Sequence, residues 1–173
     1  RGLGDVYKRQ TQDWLTGSLI QELALKYNLA VVMPAGENSF YLNGKGTGRG
    51  YETFTAVELP AYCQKTFGLS DKPEDNFIGG LSMGGFGAIH TALKYPEYFG
   101  KMFGLSSALI VNGIKGMKPG SHNDIADYDY YTQIFGDLDK LDESENNPEY
   151  LVTERLKKEE KIQPIFMASV ISF

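Results

Sequence analysis

The sequence is poorest in the residues that build metal centres and disulfide scaffolds. It has one cysteine, Cys63, and two histidines, His90 and His122, in 173 residues. A lone cysteine closes no internal disulfide, and no His/Cys/Asp cluster has the spacing of metal ligands. Neither a stapled fold nor a metal or other cofactor is expected. There is no excess of positive charge: 17 Lys and Arg stand against 22 Asp and Glu, for a formal net charge of −5. That balance argues against nucleic acid or an anionic membrane surface as partner. No apolar run is long enough to cross a bilayer. The first residues, "RGLGDVYKRQ", carry charge without an apolar centre or a cleavage-like site, so they do not read as a secretory leader. Residues 1–12 read instead as a non-native or disordered leader, set apart from the fold. With no export signal legible, the cytoplasm is the favoured compartment, and the oligomeric state is not readable.

What is present is the composition of a globular domain, 42% hydrophobic and 23% charged, in a chain long enough for one core. Trp14, Leu15, Leu19, Ile20 and Leu23 recur at helical spacing and predict a helix closing at Tyr27-Asn28. "LAVVMP" (29–34) is a short apolar run stopped by proline, the pattern of a buried parallel strand. A glycine-rich stretch, "AGENSFYLNGKGTGRG" (35–50), predicts a loop, of which "NGKGTGRG" (43–50) is expected to be mobile and at the surface. "YETFTAVELPAYCQKTF" (51–67) returns to helical spacing despite an internal Pro60. "DNFIGGLS" (75–82) and "FGKMFGLSSAL" (99–109) predict two further strands with a helix between them. From 110 to about 161 the chain turns polar, with short helices expected over 128–135 and 148–158, and "IQPIFMASVISF" (162–173) predicts a last strand. Alternation of helix and strand predicts an α/β fold with a mainly parallel sheet covered on both faces. The expected organisation is one partial domain over 13–173 with an insertion or cap at about 110–161.

"Gly80-Leu81-Ser82-Met83-Gly84" fits G-x-S-x-G, the nucleophile elbow, and falls where a predicted strand meets a predicted helix. The mechanics explain the spacing. A strained turn lifts the serine hydroxyl clear of the sheet, and glycines at Gly80 and Gly84 prevent collision between the two arms. Gly79, Gly85 and Gly87 are read as allowing the helix to pack close. The backbone N–H of Met83, next to the serine and at a helix amino terminus, points where a carbonyl oxygen would gain charge. The alternative is a glycine-rich structural turn around an ordinary serine.

"FIGGLSMGGFGAIHTALKYPEYFGKMFGLSSAL" resembles the matching stretch of the putative-esterase family of α/β-hydrolases. Members include tributyrin esterase, esterase D (S-formylglutathione hydrolase), feruloyl and acetylxylan esterases and mycolyl transferases. "VVMPAGENSFYLN", "YETFTAVELPAYCQKTF" and Asp13-Trp14 are similar to the family's segments before the elbow. The resemblance runs from about Asp13 to Ala168 and is strongest to the tributyrin-esterase-like branch. It implies a three-layer α/β-hydrolase core and a serine carboxylesterase acting on small-molecule, short-chain acyl esters. Ser82 is then the nucleophile and Met83 one oxyanion donor.

The triad partners are harder to find. His90 follows Ser82 by eight residues on the elbow helix, about 12 Å along the axis at about 1.5 Å per residue, and is expected to be a packing or surface histidine. His122 stands near Asp124, Asp127 and Asp129. A Ser–His–Asp grouping through that loop is one reading, and a solvated loop is the other. In the resemblance, "KIQPIFMA" (161–168) is the strand before the acid, but "SVISF" (169–173) holds none. The second oxyanion donor would precede Asp13. The chain therefore reads as the middle of a hydrolase, incomplete at both ends. An acyltransferase of the same family, and an inactive fragment or pseudo-enzyme, stand as alternatives. "NGKGTGRG" (43–50) fails the phosphate-loop pattern, since no Ser or Thr follows the Gly-Lys pair. Tyr128, Tyr130, Tyr131 and Phe135 could line an acyl pocket or pack a core, and the sequence does not choose between the two.

Overall fold

A computed structural model describes residues 11–169. The chain divides into two compact units, Arg1–Asn38 and Ser39–Phe173. Of the leader expected over 1–12, residues 1–10 lie outside the described range, whereas Thr11 already opens the first helix. Residues 170–173 of the expected last strand also lie outside it.

In the first unit the single helix expected from Asp13 is two, α1 (Thr11–Gly17) and α2 (Ile20–Tyr27). Ser18 explains the break. Its hydroxyl donates to the Trp14 carbonyl at 2.5 Å and accepts from the Ile20 N–H at 3.2 Å, competing locally with the helical ladder. Asn28, in the left-handed region at φ 53°, closes α2 by donating its N–H back to Ala24 and Leu25. The strand expected over 29–34 does not form. Leu29, Val31 and Val32 are each at least 40% exposed. An apolar β-branched run becomes a strand only when a neighbour supplies a ladder. Among the described residues no strand pairs with this one.

The second unit holds the sheet. Its glycine-rich opening, largely exposed over 45–50, folds as a short hairpin. Strands β1 (Asn43–Gly44) and β2 (Arg49–Gly50) pair antiparallel, and the Gly46 N–H reaches the Gln133 carbonyl at 3.3 Å. The Asn43 side chain accepts from the N–H groups of Glu52 and Thr53 at 3.1 and 3.2 Å, satisfying donors at the start of α3 (Tyr51–Thr53). The helix then widens to a π-helical turn, Phe54–Glu58, before α4 (Leu59–Phe67). Pro60 explains the wide turn. It has no N–H and its ring would strike the carbonyl four residues back, so a looser turn ahead of it carries the helix through.

Strands β3 (Phe77–Leu81), β4 (Lys101–Leu105) and β5 (Ile165–Ala168) form a parallel sheet in that order. Helix α5 (Met83–Lys94) joins β3 to β4. Helices α6 (Val111–Ile114), α7 (Tyr128–Phe135) and α8 (Pro148–Lys157) lie between β4 and β5. Parallel partners in register point to one face, and Ile78 and Met102 are such a pair. They pack with Ile89, Leu93, Leu151 and Val152, so α5 and α8 cover the same face.

The opposite face carries Phe77, Leu81, Phe103 and Phe166, between 36% and 63% exposed. Within this unit the crossover helices α5 and α8 therefore lie on one face of the sheet. Strand order that advances in one direction, joined by crossovers of one hand, puts successive helices on one side. Covering the other side needs a reversal of order. Gly79 belongs to that open face: the space of its absent side chain is filled by the Phe103 ring, not by the helix.

A second cluster forms under α7, from Phe40, Leu42, Phe86, Tyr131, Phe135 and Leu141 among others. Tyr131 and Phe135 are fully buried core residues, whereas Tyr128 and Tyr130 are partly buried against the same cluster. Polar residues of this region largely serve the backbone. Asp127 caps α7 by accepting from Tyr130 N–H at 2.8 Å, and Asn147 caps α8 by accepting from Glu149 N–H at 3.0 Å, with Pro148 following. Among the described residues no helix is long and apolar enough to cross a membrane.

Candidate active site

Ser82 stands alone between the end of β3 and the start of α5, with φ 54° and ψ −116°. A non-glycine residue at positive φ is strained, and such strain persists only where surrounding structure holds it. Here the holding bonds are explicit. The Ser82 N–H donates to the Leu105 carbonyl at 2.9 Å. The Ser82 carbonyl accepts from Phe86 and Ala108 N–H groups, both at 3.0 Å. A methyl group at Gly80 would overlap the Gly84 backbone, so the two arms of the turn touch where the motif has glycine.

Serine at a helix N-cap ordinarily turns its hydroxyl onto the N–H of the second or third helical residue. Ser82 does not: its side chain makes no capping bond to α5. The hydroxyl at this half-buried position is thus kept off the helix it begins. Met83 is the first residue of α5, and its N–H belongs to the first-turn donors that no intrahelical carbonyl satisfies. Those donors and the helix dipole favour negative charge at this end. The Met83 side chain packs against the Phe40–Phe86–Phe135 cluster, which fixes the residue that carries the donor.

Among the described residues no hydrogen bond joins the Ser82 hydroxyl to either histidine or to the acidic loop. His90 is fully buried, and its Nε2 lies 2.8 Å from the Glu145 carbonyl. A carbonyl only accepts, so Nε2 carries the hydrogen. Burial, opposed chiefly by the Glu52 charge, holds the imidazole below its ordinary pKa. The ring is neutral, and Nδ1 has no partner among the described residues. His122 is exposed and forms an isolated bridge with Asp127, whose carboxylate is engaged as a cap. Asp124 and Asp129 are exposed. Among the described residues no three His, Cys, Asp or Glu side chains are grouped as metal ligands.

An ionic cluster that composition does not reveal lies at the far end of α5. Glu52, 2% exposed, accepts from the Tyr95 hydroxyl at 2.7 Å and pairs with Lys94 at 2.9 Å. Lys94 also reaches Glu145 at 3.2 Å. Burial lowers the Lys94 pKa, and its bonds and charge contacts with Glu52 and Glu145 more than offset this, leaving it raised. Burial first, then the bond to Glu52, raises the Tyr95 phenol. This cluster ties the elbow helix to α3. Its sequence signal is faint, because a carboxylate within "YETF" reads as a solvated helix residue.

Comparison with known proteins places this geometry. The sequence profile described as "Putative esterase" matches residues 2–151. The chain belongs to the putative esterase family. It is 41% identical over 162 residues to an acetyl esterase of Caldicellulosiruptor saccharolyticus, covering 94% of this chain and 61% of that protein. Among solved structures it is similar to FphF, a fluorophosphonate-binding serine hydrolase of Staphylococcus aureus. That match has a TM-score of 0.78 at 28% identity, over 94% of this chain and 60% of that one. It is also similar to the S-formylglutathione hydrolase FrmB of the same organism, with a TM-score of 0.73 at 28% identity, over 93% and 60%. The chain thus spans about 60% of the length of these relatives. The likeness supports an α/β-hydrolase core, of which β3 to β5 and α5 are the part that carries the strand–serine–helix turn.

Proposed function

We propose that the whole protein is a serine carboxylesterase acting on short-chain acyl esters, with Ser82 as nucleophile. The observation that carries this is the strained, uncapped serine between β3 and α5. In this reading a base takes the Ser82 proton as Oγ attacks the ester carbonyl. The carbonyl oxygen gains its charge beside the Met83 N–H and the α5 amino terminus. Collapse expels the alcohol, which takes up the proton, and leaves an acyl group on Ser82 for water to remove. This reading assigns the base to neither His90, which is locked to Glu145, nor His122, which is exposed and makes no bond to Ser82.

Similarity to an acetyl esterase and to a fluorophosphonate-binding serine hydrolase supports both the acyl size and the covalent step. Ser82→Ala in the full-length protein is expected to abolish hydrolysis of p-nitrophenyl acetate. Retention of wild-type turnover would overturn the proposal.

A further inference from the structure

The peptide groups on both sides of Ser82 are bonded to one short turn. Its N–H donates to Leu105 at 2.9 Å, and its carbonyl accepts from Ala108 at 3.0 Å. Residues 105–108 therefore clasp the serine from the end of β4. The clasp is itself strained and anchored. Ser106 lies in the left-handed region at φ 42°, and its N–H donates to the Ala168 carbonyl of β5 at 2.7 Å.

Between the two clasping bonds sits Ser107. Its hydroxyl is buried and has no hydrogen-bond partner among the described residues. An unsatisfied buried hydroxyl costs about 1–3 kcal/mol, so stability alone does not account for it. Its place does. The Ser107 oxygen occupies the space where a side chain on Gly104 of β4 would begin, and also where one on Gly85 of α5 would begin. The atom fills a slot between the strand and the first turn of the elbow helix.

We propose that Ser107 is a positioning residue for Ser82, its hydroxyl acting as the spacer that sets the clasp's distance from β4 and α5. The inference rests on Ser82 being the nucleophile. With the spacer shortened, the clasp settles and the serine leaves its attacking geometry. Small misplacements near a reacting atom cost rate more than binding. A group that only supports the fold would instead lose stability and activity together.

The test is a double-mutant cycle in the full-length protein, reading kcat, KM and melting temperature with p-nitrophenyl acetate. Ser107→Ala is expected to lower kcat about tenfold with KM within about twofold, and to leave the melting temperature unchanged or higher. Gly104→Ala places a methyl group against the Ser107 hydroxyl and is also expected to lower kcat. In the double variant that methyl takes the space the hydroxyl leaves, with the flexible tip of Ile89 at 3.0 Å and the Ser107 Cβ in ordinary contact at 3.5 Å. Its kcat is expected to return to within about threefold of wild type, a coupling that independent sites do not show.

Should Gly104→Ala alone fail to accumulate, recovery of a folded, active double variant is the same rescue. Wild-type kcat in Ser107→Ala, a parallel fall of kcat and melting temperature, or a double variant no better than the worse single would each overturn the spacer. A wild type without Ser82-dependent turnover would instead overturn the esterase reading, and the spacer with it.

Discussion

Two helices of this chain, each expected from its sequence, meet opposite fates. Helix α2 (Ile20–Tyr27) is amphipathic, yet none of its residues is buried, and Leu25 is 85% exposed. Helix α5 (Met83–Lys94) buries every residue from 85 to 93. Composition is part of the difference, since α2 carries Glu22 and Lys26 whereas α5 is uncharged until Lys94. The two also differ in what meets them: α5 lies on β3 and β4, with α8 alongside, and its far end is tied to Glu52. Periodicity proposes a helix, and packing decides what it supports. The residue that α5 supports is Ser82.

The largest effect expected on that contrast comes from glycine. Gly80→Ala sets a methyl group into the Gly84 backbone and should destabilise by about 3 kcal/mol or more, with loss of soluble protein. At Gly17, where α1 ends, nothing lies within 4 Å of an added methyl, so Gly17→Ala should shift stability by less than about 0.5 kcal/mol. Urea unfolding of the two variants measures both. Equal effects would erase the distinction between the two regions.

Next in size is the far end of α5. Glu52→Ala leaves Lys94 and the Tyr95 hydroxyl without their buried acceptor, at an expected cost of about 2–3 kcal/mol. Lys94 keeps Glu145 and some access to water, which puts the expected cost below that of a fully buried pair. A change under about 0.5 kcal/mol in a melting experiment would show that α5 is held without the cluster.

The smallest effect is a pH dependence. His90 titrates below the ordinary histidine value in the folded chain, because burial disfavours its charge. As pH falls through about 6.5 the unfolded chain takes up this proton first. Its contribution to stability is therefore whole above that pH and declines below it, down to the folded pKa. Between pH 7 and pH 5 the wild type should lose more stability than His90→Gln, the difference being read from parallel urea curves. An equal loss in both would remove His90 as the cause.

The elbow was legible because its requirements are local. A serine between glycines, at the end of an apolar run and the start of a helical pattern, names its own turn. Strands β3 and β4 and helices α5, α7 and α8 were legible for the same reason, with bounds close to those expected, whereas β5 is shorter than the run 162–173 that announced it. The run at 29–34 failed because a strand is a relation between two segments, and the sequence shows one. The common face of α5 and α8, the Glu52–Lys94 pair and the Leu105–Ala108 clasp are likewise relations between distant segments. No spacing rule reports them. "LSSAL" was visible as the end of a strand, but the bonds from its turn to Ser82 appear only once β3 and β4 lie side by side.

The central claim is that Ser82 is a nucleophile held in a strained turn. Its most direct measurement is labelling of the full-length protein with a fluorophosphonate probe, followed by mapping of the modified peptide. The account predicts one adduct, on Ser82, absent from Ser82→Ala. Failure to label, or an adduct on another serine that survives in Ser82→Ala, would contradict it.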